Sequence, residues 1–180
     1  MNCLIEINSK SKRIFSFWKD SEGWSPPSAA SKLSAARLDW LEELTECLQI
    51  WHEKSVSLTN GELLLAWANL GALVEGWLKL FYCIYYEDYI REPMERRGEA
   101  IEPNDLSFEY LKQFSRERLW DKNSAWDRWV ESIQLKRNAI HAFNTRDIGT
   151  PFDFLENLEL FNRFIDEINS RIPYPDIHYY

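Results

Sequence analysis

The chain has 180 residues, room for one domain and hardly for two. Apolar residues make up 45% of it, with only six Gly and seven Pro, which excludes intrinsic disorder and disfavours a turn-rich all-β sandwich. Lys and Arg total 21 against 29 Asp and Glu, a formal charge of -8, which excludes a wholesale electrostatic grip on duplex DNA but leaves room for a local basic site.

Cys3, Cys47 and Cys83 are odd in number and show no C-x-x-C spacing, so they read as thiols of a reducing, cytoplasmic setting rather than as a disulfide framework. His52, His141 and His178 lie far apart in sequence, so no histidine metal cluster is expected and no cofactor is implied. Nine Trp, eight Tyr and ten Phe point first to packing.

In chain order, residues 1–27 read as an irregular segment whose Ile14, Phe15, Phe17, Trp18 and Trp24 fold onto the main body. Glu6, Lys10, Lys12 and Arg13 interrupt any signal-like apolar run there. Ser25-Pro26-Pro27-Ser28 punctuates, and a first long helix begins just after it, carrying Leu33, Ala36, Leu41, Leu44, Leu48 and Trp51 and fading near Lys54. Thr59-Asn60-Gly61-Glu62 has capping-box form. From there Leu63, Ala66, Trp67, Leu70, Val74, Trp77, Phe81 and Ile84 keep a helical period to about Ile90.

That helix is long enough to span a bilayer, yet Asn69, Glu75 and Lys79 sit near its middle. A charge there costs roughly 2.5–3.5 kcal/mol on insertion scales, so a core helix is the better account. Glu75, Lys79, Tyr82 and Tyr86 fall within one arc of about 60°, a narrow polar stripe on a buried cylinder.

Arg91-Glu92-Pro93 ends the helix and a charged loop follows. A shorter helix is predicted over Leu106–Leu119, another over Ser124–Phe143, and a last one from Thr150-Pro151-Phe152-Asp153, with Phe154, Leu158, Phe161, Ile165 and Ile168 on one face. It stops before Pro173, leaving residues 173–180 as a tail. The fold class is therefore all-α: an up-and-down bundle of about five helices over residues 28–172, with no strand alternation.

The helix over 124–143 carries polar chemistry into an apolar face. With Trp126 at zero and about 100° per residue, Trp129, Val130, Ile133 and Ile140 cluster beside it, Arg137 falls near 20° and His141 near 60°. One turn apart, Arg137 and His141 are neighbours on the helix surface. Two readings follow. In one, Arg137 lies at the core edge and pairs with an acid such as Glu75, while His141 is a neutral, satisfied core histidine. In the other, guanidinium and imidazole converge in a groove or dimer seam, a pairing suited to phosphate binding and proton transfer.

The string Lys136-Arg137-Asn138-Ala139-Ile140-His141-Ala142-Phe143 resembles the signature of the HEPN superfamily, the higher eukaryote and prokaryote nucleotide-binding proteins. There an Arg, often followed by a polar residue such as Asn, precedes a His on a late helix of a four- to five-helix bundle. Ala68–Leu80 is similar to the long early helix of that family. The resemblance covers about residues 30–172. It implies a homodimer in which two copies of the motif face each other, and a metal-independent endoribonuclease cutting single-stranded RNA in a phage-defence or toxin–antitoxin setting, where an antitoxin could be a partner.

Carried onto this chain, the resemblance gives His141 a proton-transfer role, Arg137 the scissile phosphate and Asn138 an orienting role. Lys136 would bind substrate and Glu75 would support Arg137. Arg137 and His141 enclose three residues where the family usually has four to six, so a non-catalytic HEPN-like dimer holding a nucleotide or a protein partner is the alternative. Arg91, Arg96 and Arg97, following Tyr85, Tyr86 and Tyr89, form a second candidate contact for single-stranded RNA. Arg116 and Arg118 read as ordinary helix surface.

Overall fold

A computed structural model describes residues 3–141 and 145–175. The protein is mostly helical: α1 (Cys3–Lys19), α2 (Pro27–Ala35), α3 (Leu38–Glu46), α4 (Leu48–Lys54), α5 (Asn60–Ile84), the single turn α6 (Tyr86–Tyr89), α7 (Phe108–Ser115), α8 (Ala125–Arg137) and α9 (Pro151–Ser170). A 3₁₀ turn, Asn138–His141, continues α8.

The central element is α5, which packs against α2, α3, α4, α7, α8 and α9. Thr59 and Glu62 form the reciprocal capping box at its start. Every apolar position expected on it from Leu63 to Ile84 is buried. It is the one described helix long and apolar enough to cross a membrane, and 67% of its most apolar window is buried inside the protein. Asn69, the polar residue near its middle, is satisfied there: it accepts from Trp51 Nε1 at 2.9 Å and donates to the Leu44 carbonyl at 2.9 Å. The last helix also follows expectation, with Thr150 and Asp153 as its capping box and Phe154, Leu158, Phe161, Ile165 and Ile168 buried.

Three expectations are corrected. Residues 1–27 are not irregular, because α1 occupies 17 of them. Leu4, Ile7, Ser11, Ile14 and Trp18 make its buried stripe, with a serine at a position where the pattern wants an apolar residue. Lys10 ties the helix to α9 by bonds to Asp166 (2.7 Å) and Asn162 (2.9 Å), and the Phe15 and Trp77 rings meet at 5.0 Å.

The helix expected from Ser28 to Lys54 is broken instead into α2, α3 and α4. Ala36 is extended, and Arg37 bonds Asp39 in the first turn of α3 through both Nε (2.9 Å) and Nη2 (2.6 Å). No Gly or Pro marks that break; it lets α2 and α3 each lie against α5. Third, the loop after Pro93 folds into a two-residue hairpin, β1 (Glu95–Arg96) and β2 (Glu99–Ala100), turned by Arg97 and Gly98 at φ +58° and +82°.

Candidate functional site

Arg137 ends α8, and its position depends on α5. A Cβ built on Gly71 would stand 2.5 Å from both Cβ and Cγ of Arg137, so the stem of the arginine occupies space that only glycine leaves open. Five residues on, a Cβ on Gly76 would meet Leu41 at 2.5 Å, so another side of the same helix admits α3 as closely. Glycine inside a helical pattern carries a helix-propensity cost and signals such an approach.

Between these contacts lies a groove of about 340 Å³. Leu41, Leu44 and Leu80 give it apolar sides, while Glu75, Lys79 and Arg137 supply charge. Arg137 Nη2 donates to Glu75 Oε2 at 3.0 Å, and Lys79 Nζ reaches Glu75 Oε1 at 2.9 Å. Asn138 Oδ1 accepts from Arg137 Nη1 at 3.2 Å. Side-chain exposure is 15% for Glu75, 28% for Lys79 and 36% for Arg137, so the carboxylate is the most sheltered of the three. One carboxylate thus serves two cations, and the groove keeps a surplus positive charge in a protein of net charge -8.

The structure brings together Arg137, Asn138 and Glu75, and the Glu75 carboxylate also takes Lys79, so two contacts that read as alternatives in the sequence form together. It places Lys136 elsewhere. That ammonium sits 4.3 Å over the Trp67 ring and beside Gly149, while Trp67 Nε1 donates to the Ile148 carbonyl at 2.8 Å. Lys136 therefore steadies the approach to α9 rather than lining the groove.

His141 falls at the end of the 3₁₀ turn, exposed, and makes no hydrogen bond or ion pair among the described residues. The helix expected to run to Phe143 departs from α geometry at Asn138; Ala142 and Phe143 lie outside the described residues. At 3.0 residues per turn each side chain advances by about 120°, so His141 is not stacked on the rung above Arg137. The change exposes Ile140 (41%), which was expected on the apolar stripe, and buries Ala139.

The remaining expectations also shift. Tyr82, expected on the polar stripe, is buried and bonded to Ser115 at 2.8 Å. Arg96 and Arg97 are exposed on the hairpin, whereas the Tyr85 and Tyr89 hydroxyls are committed to the carbonyls of Arg171 and Ile101, each at 2.5 Å. Arg116 and Arg118 follow the end of α7 at Ser115 rather than lying on a helix that reaches Leu119. Arg116 Nε meets Asp127 Oδ1 at 2.7 Å. Ser124 and Asp127 make only half of a capping box: the Asp127 amide donates to Ser124, but its carboxylate takes Arg116 and the Asn123 amide.

His178, Tyr179 and Tyr180 lie outside the described residues. Among the described residues no group of three or more His, Cys, Asp or Glu is placed to hold a metal ion. Comparison with family models, curated proteins and solved structures finds no match. The class defined by the fold and site is an all-α protein with a half-buried cationic groove and, four residues beyond the groove's arginine, an exposed histidine.

Proposed function

We propose that this is a HEPN-like, metal-independent endoribonuclease that works on single-stranded RNA as a homodimer in the cytoplasm, in a defence or toxin–antitoxin setting where an antitoxin would mask the groove. The observation that carries this reading is the arrangement around Arg137. A guanidinium steadied by Glu75 and Asn138 stands at the mouth of a surplus-positive groove, one 3₁₀ turn before an imidazole with no partner among the described residues. An exposed, uncommitted imidazole is the form that general acid–base work requires, and a bidentate cation suits a phosphodiester.

The chemistry needs only the chain and the RNA. His141 takes the proton of a ribose 2'-hydroxyl, whose oxygen attacks the adjacent phosphorus. The 5'-oxygen leaves and is protonated by the second subunit's imidazole or by water. Arg137 meets the charge developing on the phosphoryl oxygens. The products are a 2',3'-cyclic phosphate and a free 5'-hydroxyl.

A second reading is favoured by the occupancy of Arg137: its guanidinium is already shared between Glu75 and Asn138, as in a structural ion pair. The same dimer would then be a binding module for a nucleotide or a protein. Incubation of purified protein with several RNAs in EDTA, beside His141→Ala, His141→Gln and Arg137→Lys, separates the two. Cleavage with cyclic-phosphate ends that is lost in the His141 variants supports the enzyme. Cleavage undiminished in all three variants overturns the site, and intact RNA with the wild type leaves the module.

A further inference from the structure

A second cavity, of about 350 Å³, opens on another face of α5, at its C-terminal end. Its wall is a continuous surface of rings. Phe81 packs on Tyr85 (4.8 Å between centroids) and Tyr82 (5.3 Å), and Phe114 packs on Tyr82 and Tyr89 (5.0 Å each). All three phenol hydroxyls are engaged, Tyr82 with Ser115 in the interior, Tyr85 with the Arg171 carbonyl at the surface and Tyr89 with the Ile101 carbonyl. Those bonds fix the rings, so what the wall offers a ligand is mainly their apolar surface. The wall therefore selects for a flat apolar group.

Polarity enters at the mouth, in two pairs of different quality. Arg91 and Asp88 close on each other at 3.0 Å, one turn apart on the backbone. Arg118 lies over Phe114, 4.0 Å from the ring centroid, donates to the Phe114 carbonyl at 3.4 Å and reaches Glu92 only at 3.5 Å; the Glu92 side chain is 85% exposed. That contact exceeds a normal charge-assisted bond, so the second pair opens at little cost. A singly charged ligand that opened it would leave one partner unmatched. A zwitterion would match both.

We propose that this cavity binds a free aromatic α-amino acid, its ring on the tyrosine–phenylalanine wall, its carboxylate on Arg118 and its ammonium group on Glu92. The cavity volume lies at the small end of the roughly 300–1,000 Å³ typical of ligand pockets, which suits a single mono- or bicyclic ring. This site is independent of the Arg137 groove and stands whether or not the protein cleaves RNA.

Isothermal titration of the full chain with L-phenylalanine and L-tryptophan tests it, beside 3-phenylpropionate, phenethylamine and uridine 5'-monophosphate. One-to-one saturable binding of an amino acid is expected, weakened at least about tenfold for each analogue lacking one charge. Arg118→Gln and Glu92→Gln should weaken it comparably, and both sit at the exposed mouth, so unfolding would not explain the loss. Absence of binding of both amino acids up to roughly 10 mM overturns the proposal. So does equal affinity for phenethylamine or 3-phenylpropionate, or tighter binding of the nucleotide.

Discussion

Gly71 and Arg137 compete for the same volume, since a single added methyl on α5 would stand 2.5 Å from the arginine Cβ and Cγ. These are the root of the side chain, not its flexible end, so α8 itself must move. Gly71→Ala gains about 1 kcal/mol of helix propensity but incurs about 1–3 kcal/mol of overpacking. A net loss of about 1 kcal/mol is expected, read as a lower urea midpoint with an unchanged slope. In the same variant the guanidinium is drawn from Glu75, so any RNA affinity or cleavage should fall more than stability does.

Among the described residues Glu75 is the sole carboxylate paired with Arg137 and Lys79, so Glu75→Gln leaves two cations facing each other. Both retain partial solvent contact, so the cost should be about 1–2 kcal/mol, below the 3–5 kcal/mol of a fully buried pair. The same change raises the groove's positive surplus by one charge. Fluorescence anisotropy with a single-stranded RNA oligonucleotide should show tighter binding at low salt, with a steeper salt dependence. Unchanged affinity would mean that the groove does not hold anions.

Local signals made part of this legible. The boxes at Thr59–Glu62 and Thr150–Asp153 announce α5 and α9 because a cap is chemistry within four residues. The Arg137–Glu75 contact could be named as one of two readings from angular position alone. What stayed hidden depends on distant partners. Ser11 at a buried position masks the stripe of α1, and the break at Ala36–Arg37 exists because two short helices fit α5. The 3₁₀ turn that separates His141 from Arg137 has no Gly or Pro to mark it. Gly71 and Gly76 interrupt neither the pattern nor the helix, and only the structure names what approaches them.

The thiols make a prediction about the groove. Cys83 lines it, and burial pushes its pKa up to about 12; burial and the neighbouring Glu159 do the same for Cys3. Since the thiolate is the reactive form, both should resist iodoacetamide in the native protein at pH 8 and react once urea unfolds it. Mass spectrometry of timed samples would check this. Rapid native labelling of Cys83 would show the groove to be more open than its burial indicates.

Asp127 is a buried carboxylate in the first turn of α8. Its side chain is 2% exposed, and burial alone would raise its pKa, but Arg116 and the Asn123 amide outweigh burial and hold it below the usual 3.8. A depressed native pKa means that its stabilisation is fully present above the unfolded value and fades as pH falls through the native one. The wild type should therefore lose stability steeply below about pH 4, whereas Asp127→Asn should start lower and show a flatter slope there. At pH 7 that substitution leaves Arg116 without its counter-charge, at an expected cost of about 3 kcal/mol. Urea titrations at about pH 3, 5 and 7, spanning the aspartate range, would measure both. Parallel pH slopes in the two proteins would show that this pair does not govern the acid limb.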